Sequence, residues 1–185
     1  LDYNIETVRT RTPDTETEAF KAINPRQKIP VLQDGLITIG ESAAIITYLA
    51  ETYRDGSTIL IPNDRALRAK YFEWMSSICM ELDATSLYVL RRHWSLPEIY
   101  GDSPVANKAS EDYFQRMINA AAKMVEPNLP YLLGDSFSGV DILMVTTLQW
   151  AIDYNQALPN IFNDYLSNLN NRPKYIAAMK ANKQK

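Results

Sequence analysis

A chain of 185 residues with 46% hydrophobic and 22% charged residues has an ordinary globular composition and is long enough for one or two domains. Its 19 basic and 22 acidic side chains are interspersed and sum to −3, so no broad basic surface offers itself to nucleic acid or to an anionic membrane. One cysteine and one histidine exclude an internal disulfide framework and a usual structural zinc site, no apolar run approaches membrane-span length, no secretory leader is read, and the expected setting is reducing and cytoplasmic.

The chain opens at Leu1 without a methionine, directly before an extended run, and a true beginning upstream is expected. Tyr3, Ile5 and Val8 punctuate that run, so Tyr3 to Arg9 is predicted as a strand. Thr12-Pro13-Asp14 breaks it, and Thr15 to Ile23, with Ala19, Phe20 and Ile23 on one side, is predicted as a short helix ended by Asn24-Pro25. Next, Val31-Leu32-Gln33 and Leu36-Ile37-Thr38-Ile39 flank Asp34-Gly35, the strongest short-range signal for a hairpin with a type I′ turn. Ser42 stands where a helix N-cap belongs, with Ile45, Ile46, Leu49 and Tyr53 at helical spacing behind it. Strand, helix, hairpin and helix make most of a thioredoxin-like α/β layer over residues 1–56, lacking a preceding strand and helix of roughly 20 to 25 residues by average element lengths.

Residues 57–63 read as a linker, with a new N-cap at Asp64 opening an all-α domain over 64–185. Leu67, Tyr71, Trp74, Ile78 and Leu82 predict a long amphipathic helix reaching towards Trp94. After Pro97 to Pro104, a second helix places Tyr113, Met117, Ala121 and Met124 on one face and closes at Pro127 and Pro130; the pair reads as antiparallel neighbours. Ser138 with Asp141 three positions on is close to a capping box, with Phe137 able to staple onto Ile142 and Val145, Leu148, Gln149 and Ile152 behind. Pro159 opens a helix with Ile161, Tyr165 and Leu169, Arg172-Pro173 opens a last one with Ile176 and Met179, and Lys180 to Lys185 reads as a solvated tail.

The chemistry concentrates between Lys28 and Leu49. Pro30 cannot donate to a β-ladder and belongs at the start or edge of its strand, where an X-Pro bond can be cis and the Ile29 main chain stays unpaired. Such an edge can pair with the peptide bond of a small ligand. A few residues on, the Glu41 carboxylate suits an ammonium, while the Ser42 hydroxyl and the free N–H groups of a helix start suit a carboxylate. Each residue alone also has a structural reading: a strand start, a cap, an acid favoured near a helix N-terminus. Jointly, at these spacings, a ligand site is favoured.

Asn24-Pro25-Arg26-Gln27-Lys28-Ile29-Pro30-Val31-Leu32, the Asp34-Gly35 turn and Glu41-Ser42-Ala43-Ala44-Ile45-Ile46-Thr47-Tyr48-Leu49 resemble the glutathione-site half of the glutathione transferase superfamily. The resemblance implies that a cis Ile29-Pro30 peptide pairs with the cysteinyl part of glutathione, and that Glu41 and Ser42 hold its γ-glutamyl head. Lys28, and more weakly Gln27, would contact the glycyl end. It also implies that Gly134, Ser138 and Asp141 belong to the cap that starts the central helix of the all-α domain, and Ser138 and Asp141 are assigned to folding. Losing such a cap costs about 0.5 to 2 kcal/mol.

In that family a Ser, Tyr or Cys near the first strand favours the thiolate, worth about 2.7 kcal/mol for two pKa units. No residue of this sequence matches it, so the catalytic residue is expected upstream of Leu1. Cys79, between Ile78 and Met80, reads as a buried core residue, and His93 after Arg91-Arg92 as a cation at a helix end. Tyr88, Arg92 and Trp94 are candidates for the acceptor wall, which the resemblance assigns to the first two helices of the all-α domain; aromatic rings would suit an apolar electrophile and an arginine an anionic one. The function implied is a transferase in which bound glutathione thiolate attacks an electrophilic small molecule, with glutathione as co-substrate, no metal and a homodimer through the Ser42 helix and the first helices of the all-α domain. The alternatives are a non-catalytic binding or assembly module, or a glutathione-dependent isomerase, reductase or dehalogenase.

Overall fold

Asp34 and Ile37 close a two-residue turn. The computed structural model describes residues 1–10, 12–54 and 59–183, and pairs β1 (Val31–Asp34) with β2 (Ile37–Gly40) in the antiparallel register Val31↔Gly40 to Asp34↔Ile37. The loop residues are therefore Gly35 and Leu36, one position later than the expected Asp34-Gly35. Gly35 has φ +58° and Leu36 is not among the residues with positive φ. A type I′ turn needs positive φ at both central positions; positive φ at the first alone is the type II′ pattern. Asp34 stays in the strand because its carboxylate accepts from the Tyr48 hydroxyl at 2.9 Å and from the Tyr53 hydroxyl, tying the turn to the following helix.

Two compact units make up the chain, Leu1–Ile59 and Leu60–Gln184. The expected boundary at residues 56 and 57 falls in 55–58 and lies outside the described residues. In the first unit, Tyr3 to Arg9 does not form the expected strand. The sheet among the described residues has two strands only, and an extended run with no neighbour has no ladder to join. A 3-10 turn occupies Pro13–Glu16 and α1 is Glu18–Ile23, with the Thr17 hydroxyl accepting from Phe20 N–H at 3.1 Å. Phe20 is this unit's buried apolar side chain among the described residues, beside buried Thr15 and Asn24.

α2 runs from Ser42 to Thr52, and here a second expectation is corrected. Ser42 is the first helical residue; the cap position belongs to Glu41, with φ 70° and ψ 121° and no side-chain capping bond. The positive φ turns the chain directly from β2 into the helix, which leaves no non-helical serine to cap it.

In the second unit Asp64 caps α3 (Arg65–Ser77), its Oδ1 accepting from Ala66 and Leu67 N–H at 3.0 and 2.9 Å. The helical run continues through a π-helical segment (Ile78–Leu87), α4 (Tyr88–Leu90) and a second π segment (Arg91–Ser95). Thr85 and Ser86 hydroxyls donate to the Met80 and Glu81 carbonyls five residues back, both at 2.7 Å, which supports the wide turns. Tyr71, Trp74, Ile78 and Leu82 are buried as expected, while Leu67 is exposed. α5 (Pro97–Tyr100) precedes α6 (Pro104–Ala122), whose buried face is Phe114, Ile118 and Ala121, continued by Val125. Ala121 is buried as expected, and the rest of the stripe lies one residue on from the expected Tyr113, Met117 and Met124. Tyr113 carries a hydroxyl that must reach a polar partner, and it donates to Glu81 at the rim.

α7 (Gly139–Asp153) forms the centre of this unit, with Val140, Met144, Leu148 and Ala151 at 0% exposure, and α8 (Asn160–Asn170) and α9 (Pro173–Lys183) follow. The expected lysine-rich tail is helical as far as Lys183, and residues 184 and 185 lie outside the described residues. Cys79 is half-buried, outside the core expected of it, because it sits off the Ile78–Leu82 stripe. Among the described residues no helix is long and apolar enough to cross a membrane.

Candidate functional site

The hairpin register decides what meets at its open end. One residue beyond the pair Val31↔Gly40, the strands continue into Pro30 and Glu41, so the Ile29-Pro30 main chain and the Glu41-Ser42 corner share one end of the hairpin. The Ile29-Pro30 peptide is cis, as the sequence predicts. The Pro30 carbonyl oxygen would lie 3.8 Å from a Cβ placed on Gly40.

Buried Asn24 builds the loop that leads there. Its Nδ2 donates to the Lys28 carbonyl at 2.8 Å, its Oδ1 accepts from Arg26 N–H at 3.2 Å, and its carbonyl accepts from Gln27 N–H at 2.9 Å. Gln27 takes φ 54° within this loop. The loop delivers Arg26, which the sequence reading passed over: its Nη1 meets Glu41 Oε1 at 2.7 Å across fifteen residues. A Cβ on Gly40 would stand 2.7 Å from Arg26 Nη2, so the absent side chain makes room for the guanidinium. Local pattern carries no trace of such a pair.

Glu41 thus keeps its second carboxylate oxygen for a cation, while the first N–H groups of α2 point outward with no capping side chain. Glu41 and Ser42 are both exposed. An acid held in the left-handed region beside an open helix start is strained backbone of the kind found at binding sites. Lys28 and Gln27 lie on the same loop, both exposed. The Asp34 carboxyl, at the far end of the hairpin, is held below its ordinary range by the Tyr53 hydroxyl first and the Tyr48 hydroxyl second.

In the helical unit, Tyr88, Arg92 and Trp94 belong to one arginine–aromatic cluster. Arg92 lies over the Tyr88 ring at 4.9 Å, Tyr88 meets Trp150 edge-on at 6.5 Å, and Trp150 leads through Tyr154 at 5.5 Å to Trp94 at 5.7 Å. His93 Nδ1 is 2.8 Å from the Gly101 carbonyl oxygen, so beyond its place at a helix end it ties down the loop after α5. Ser138 and Asp141 meet as expected. Asp141 Oδ2 accepts from Ser138 N–H and Oγ–H, both at 2.8 Å, and Oδ1 accepts from Leu132 N–H at 2.9 Å and the Tyr165 hydroxyl at 2.7 Å. Burial first, then the Asp141 charge, pushes the Tyr165 hydroxyl well above its usual pKa. Among the described residues no cluster of His, Cys, Asp and Glu gathers as metal ligands would.

Comparison with known proteins matches residues 1–52 to the glutathione S-transferase N-terminal domain and residues 80–173 to the glutathione S-transferase C-terminal domain. The chain belongs to the glutathione S-transferase family. Both informative stretches fall inside these matches, the hairpin end in the first and the Asp141 cap in the second. Glutathione S-transferase F14 of Arabidopsis thaliana is 29% identical over 164 residues, 84% of this chain and 62% of that relative's length. A theta class glutathione S-transferase from Xanthomonas axonopodis pv. citri, solved with glutathione bound, superposes with a TM-score of 0.68 at 25% identity, over 87% of this chain and 76% of that one. A glutathione transferase homolog from Lodderomyces elongisporus, solved with two GSH per subunit, gives 0.81 at 17% identity, over 98% and 88%, which is a likeness of fold. The family architecture is a thioredoxin-like α/β unit followed by an all-helical unit, as the sequence predicts.

Proposed function

We propose that this chain is a glutathione transferase, with the hairpin end as its glutathione site. The observation that carries the reading is the convergence, at one end of one hairpin, of an off-ladder Ile29-Pro30 main chain, the Glu41 carboxylate and the uncapped start of α2. In this reading Glu41 takes the ammonium of the γ-glutamyl head, Ser42 and the α2 amides take its carboxylate, Ile29 pairs with the cysteinyl peptide, and Lys28 faces the glycyl carboxylate. Arg26 positions Glu41 by holding one of its two oxygens. Glutathione bound this way presents its sulfur as thiolate to an electrophilic carbon; a C–S bond forms and a leaving group departs with its bonding pair. Ser138 and Asp141 serve the fold. The working unit in this proposal is a homodimer in a reducing cytoplasm, and exposed Leu67 and Phe72 on α3 give it apolar surface to bury.

Retention on immobilised glutathione tests the site. The wild-type chain is expected to bind and to elute with free glutathione. Glu41→Ala with Ser42→Ala removes a charge-assisted bond worth about 1.5 to 3 kcal/mol, so the double variant should bind ten- to a hundredfold more weakly with unchanged circular dichroism. Equal retention of the double variant overturns the assignment.

A further inference from the structure

Along α7, Thr147, Trp150 and Asp153 follow one another at three-residue steps and so share one face of the helix. That face meets the first π-helical segment and α9 around a cavity of about 370 Å³. Small-molecule sites occupy roughly 300 to 1,000 Å³, so the space is large enough for one compact ligand. Every residue that lines it belongs to the second unit, and none of them is Tyr88, Arg92 or Trp94.

Thr147 is the informative residue. It is buried at 5% exposure, yet its hydroxyl makes no hydrogen bond among the described residues. A helical threonine in such a place ordinarily returns its hydroxyl to a carbonyl of the preceding turn. Neighbouring Thr146 does so, donating to the Leu143 carbonyl at 2.8 Å. A buried hydroxyl left unmet is destabilising. The Thr147 oxygen is not sealed inside the protein as Asn107 Oδ1 is, so its partner is whatever occupies the cavity.

The rest of the lining sets the chemistry. Asp83 from the π-helical segment and Asp153 from α7 line the cavity, and no lysine or arginine does. Lys174 and Lys180 stand on α9 but are exposed and lie outside it, as does Arg91, 5.8 Å from the Trp150 centroid. Trp150 and Tyr175 add an indole and a phenol from two elements, and Met179 a thioether. Carboxylates beside aromatic rings attract an ammonium and suit a flat ring attached to it. An anion finds no opposite charge in this lining.

We propose that this cavity binds a small aromatic ammonium. Its amine lies against Asp153 and Asp83, its ring against Trp150 and Tyr175, and a ring N–H donates to the Thr147 hydroxyl oxygen. The site depends on neither glutathione nor the first unit.

Calorimetry on the full chain tests this with tryptamine, which has no electrophilic carbon and so reports binding apart from turnover. Tryptamine should bind at least tenfold more tightly than indole-3-propionate, which is of similar size and opposite charge, and the preference should shrink with added salt. Asp153→Asn should remove most of that preference while keeping the wild-type circular dichroism. Thr147→Val should weaken tryptamine several-fold, leave 1-methyltryptamine, which lacks the ring N–H, unchanged, and raise the urea midpoint. A threonine that only packs would raise the midpoint without touching affinity. Equal binding of amine and acid, binding of neither, or tryptamine affinity untouched by Asp153→Asn or by Thr147→Val overturns the proposal.

Discussion

Gly40 matters for what it lacks. The end of Arg26 occupies the space its Cβ would take, and that guanidinium holds Glu41. The pair is more than half exposed at both ends, so it contributes no more than about 1 kcal/mol to stability. Arg26→Ala is therefore expected to leave the urea midpoint nearly unchanged while weakening glutathione binding several-fold, because Glu41 loses the contact that orients it. Gly40→Ala should reproduce that pattern by displacing the flexible end of Arg26, and glutathione titration of the two variants compares them directly. At this scale the cis Ile29-Pro30 bond and the placing of Glu41 and Ser42 at a helix start are legible in the sequence because both are local. A proline in a strand start and an acid beside a helix start announce themselves within a few residues. Arg26 and the two tyrosines on Asp34 were not, since their partners lie fourteen to nineteen residues away and only the hairpin fold brings them together.

The cap of α7 shows the same division among elements. The Ser138-x-x-Asp141 spacing gives the start of the helix, but not that Asp141 is fully buried and also serves Leu132 and Tyr165, joining the Tyr131–Gly134 bridge and α8 to α7. Asp141→Asn keeps the volume but turns an amide NH2 towards groups that themselves donate, leaving buried donors unpaired. Its cost should be about 3 kcal/mol or more, against about 1 kcal/mol for Ser138→Ala, which spares the Ser138 N–H bond. Urea unfolding of the two variants checks the order, and equal costs would mean that the carboxylate acts only as a helix cap. Along α6 two adjacent apolar stripes fit the periodicity equally well. The Tyr113 hydroxyl decides between them by seeking Glu81, a choice that depends on the π-helical segment opposite. Wide turns of that kind leave no mark on a hydrophobic period, so the helix reaching towards Trp94 was legible and its winding was not.

Across the whole chain, the first unit carries an acid-sensitive contact as well as alkaline-sensitive ones, and the second an alkaline-sensitive one. Asp34, in the first unit, has its pKa lowered from 3.8 by hydrogen bonds from Tyr53 and Tyr48, so its contribution is present above pH 3.8 and is lost as pH falls through the lowered value. Tyr165, in the second, is raised well above 10.0 by burial and by Asp141. Above pH 10 the unfolded chain releases this proton while the folded chain keeps it, so the folded state binds more protons and stability falls as pH rises; below pH 10 the contribution is complete. Tyr48 and Tyr53 are raised too, chiefly by their bonds to Asp34, and follow the same alkaline sign in the first unit. Amide hydrogen exchange resolved by residue separates the units. Asp34→Asn should flatten the acid loss of protection in β1, β2 and α2 and leave α7 and α8 as in the wild type. Tyr165→Phe removes a bond to a buried carboxylate, worth about 1.5 to 3 kcal/mol at neutral pH, and should flatten the alkaline loss in α7 and α8 with the hairpin unaffected. An alkaline limb equally steep with and without the Tyr165 hydroxyl would place the titrating group elsewhere in the second unit.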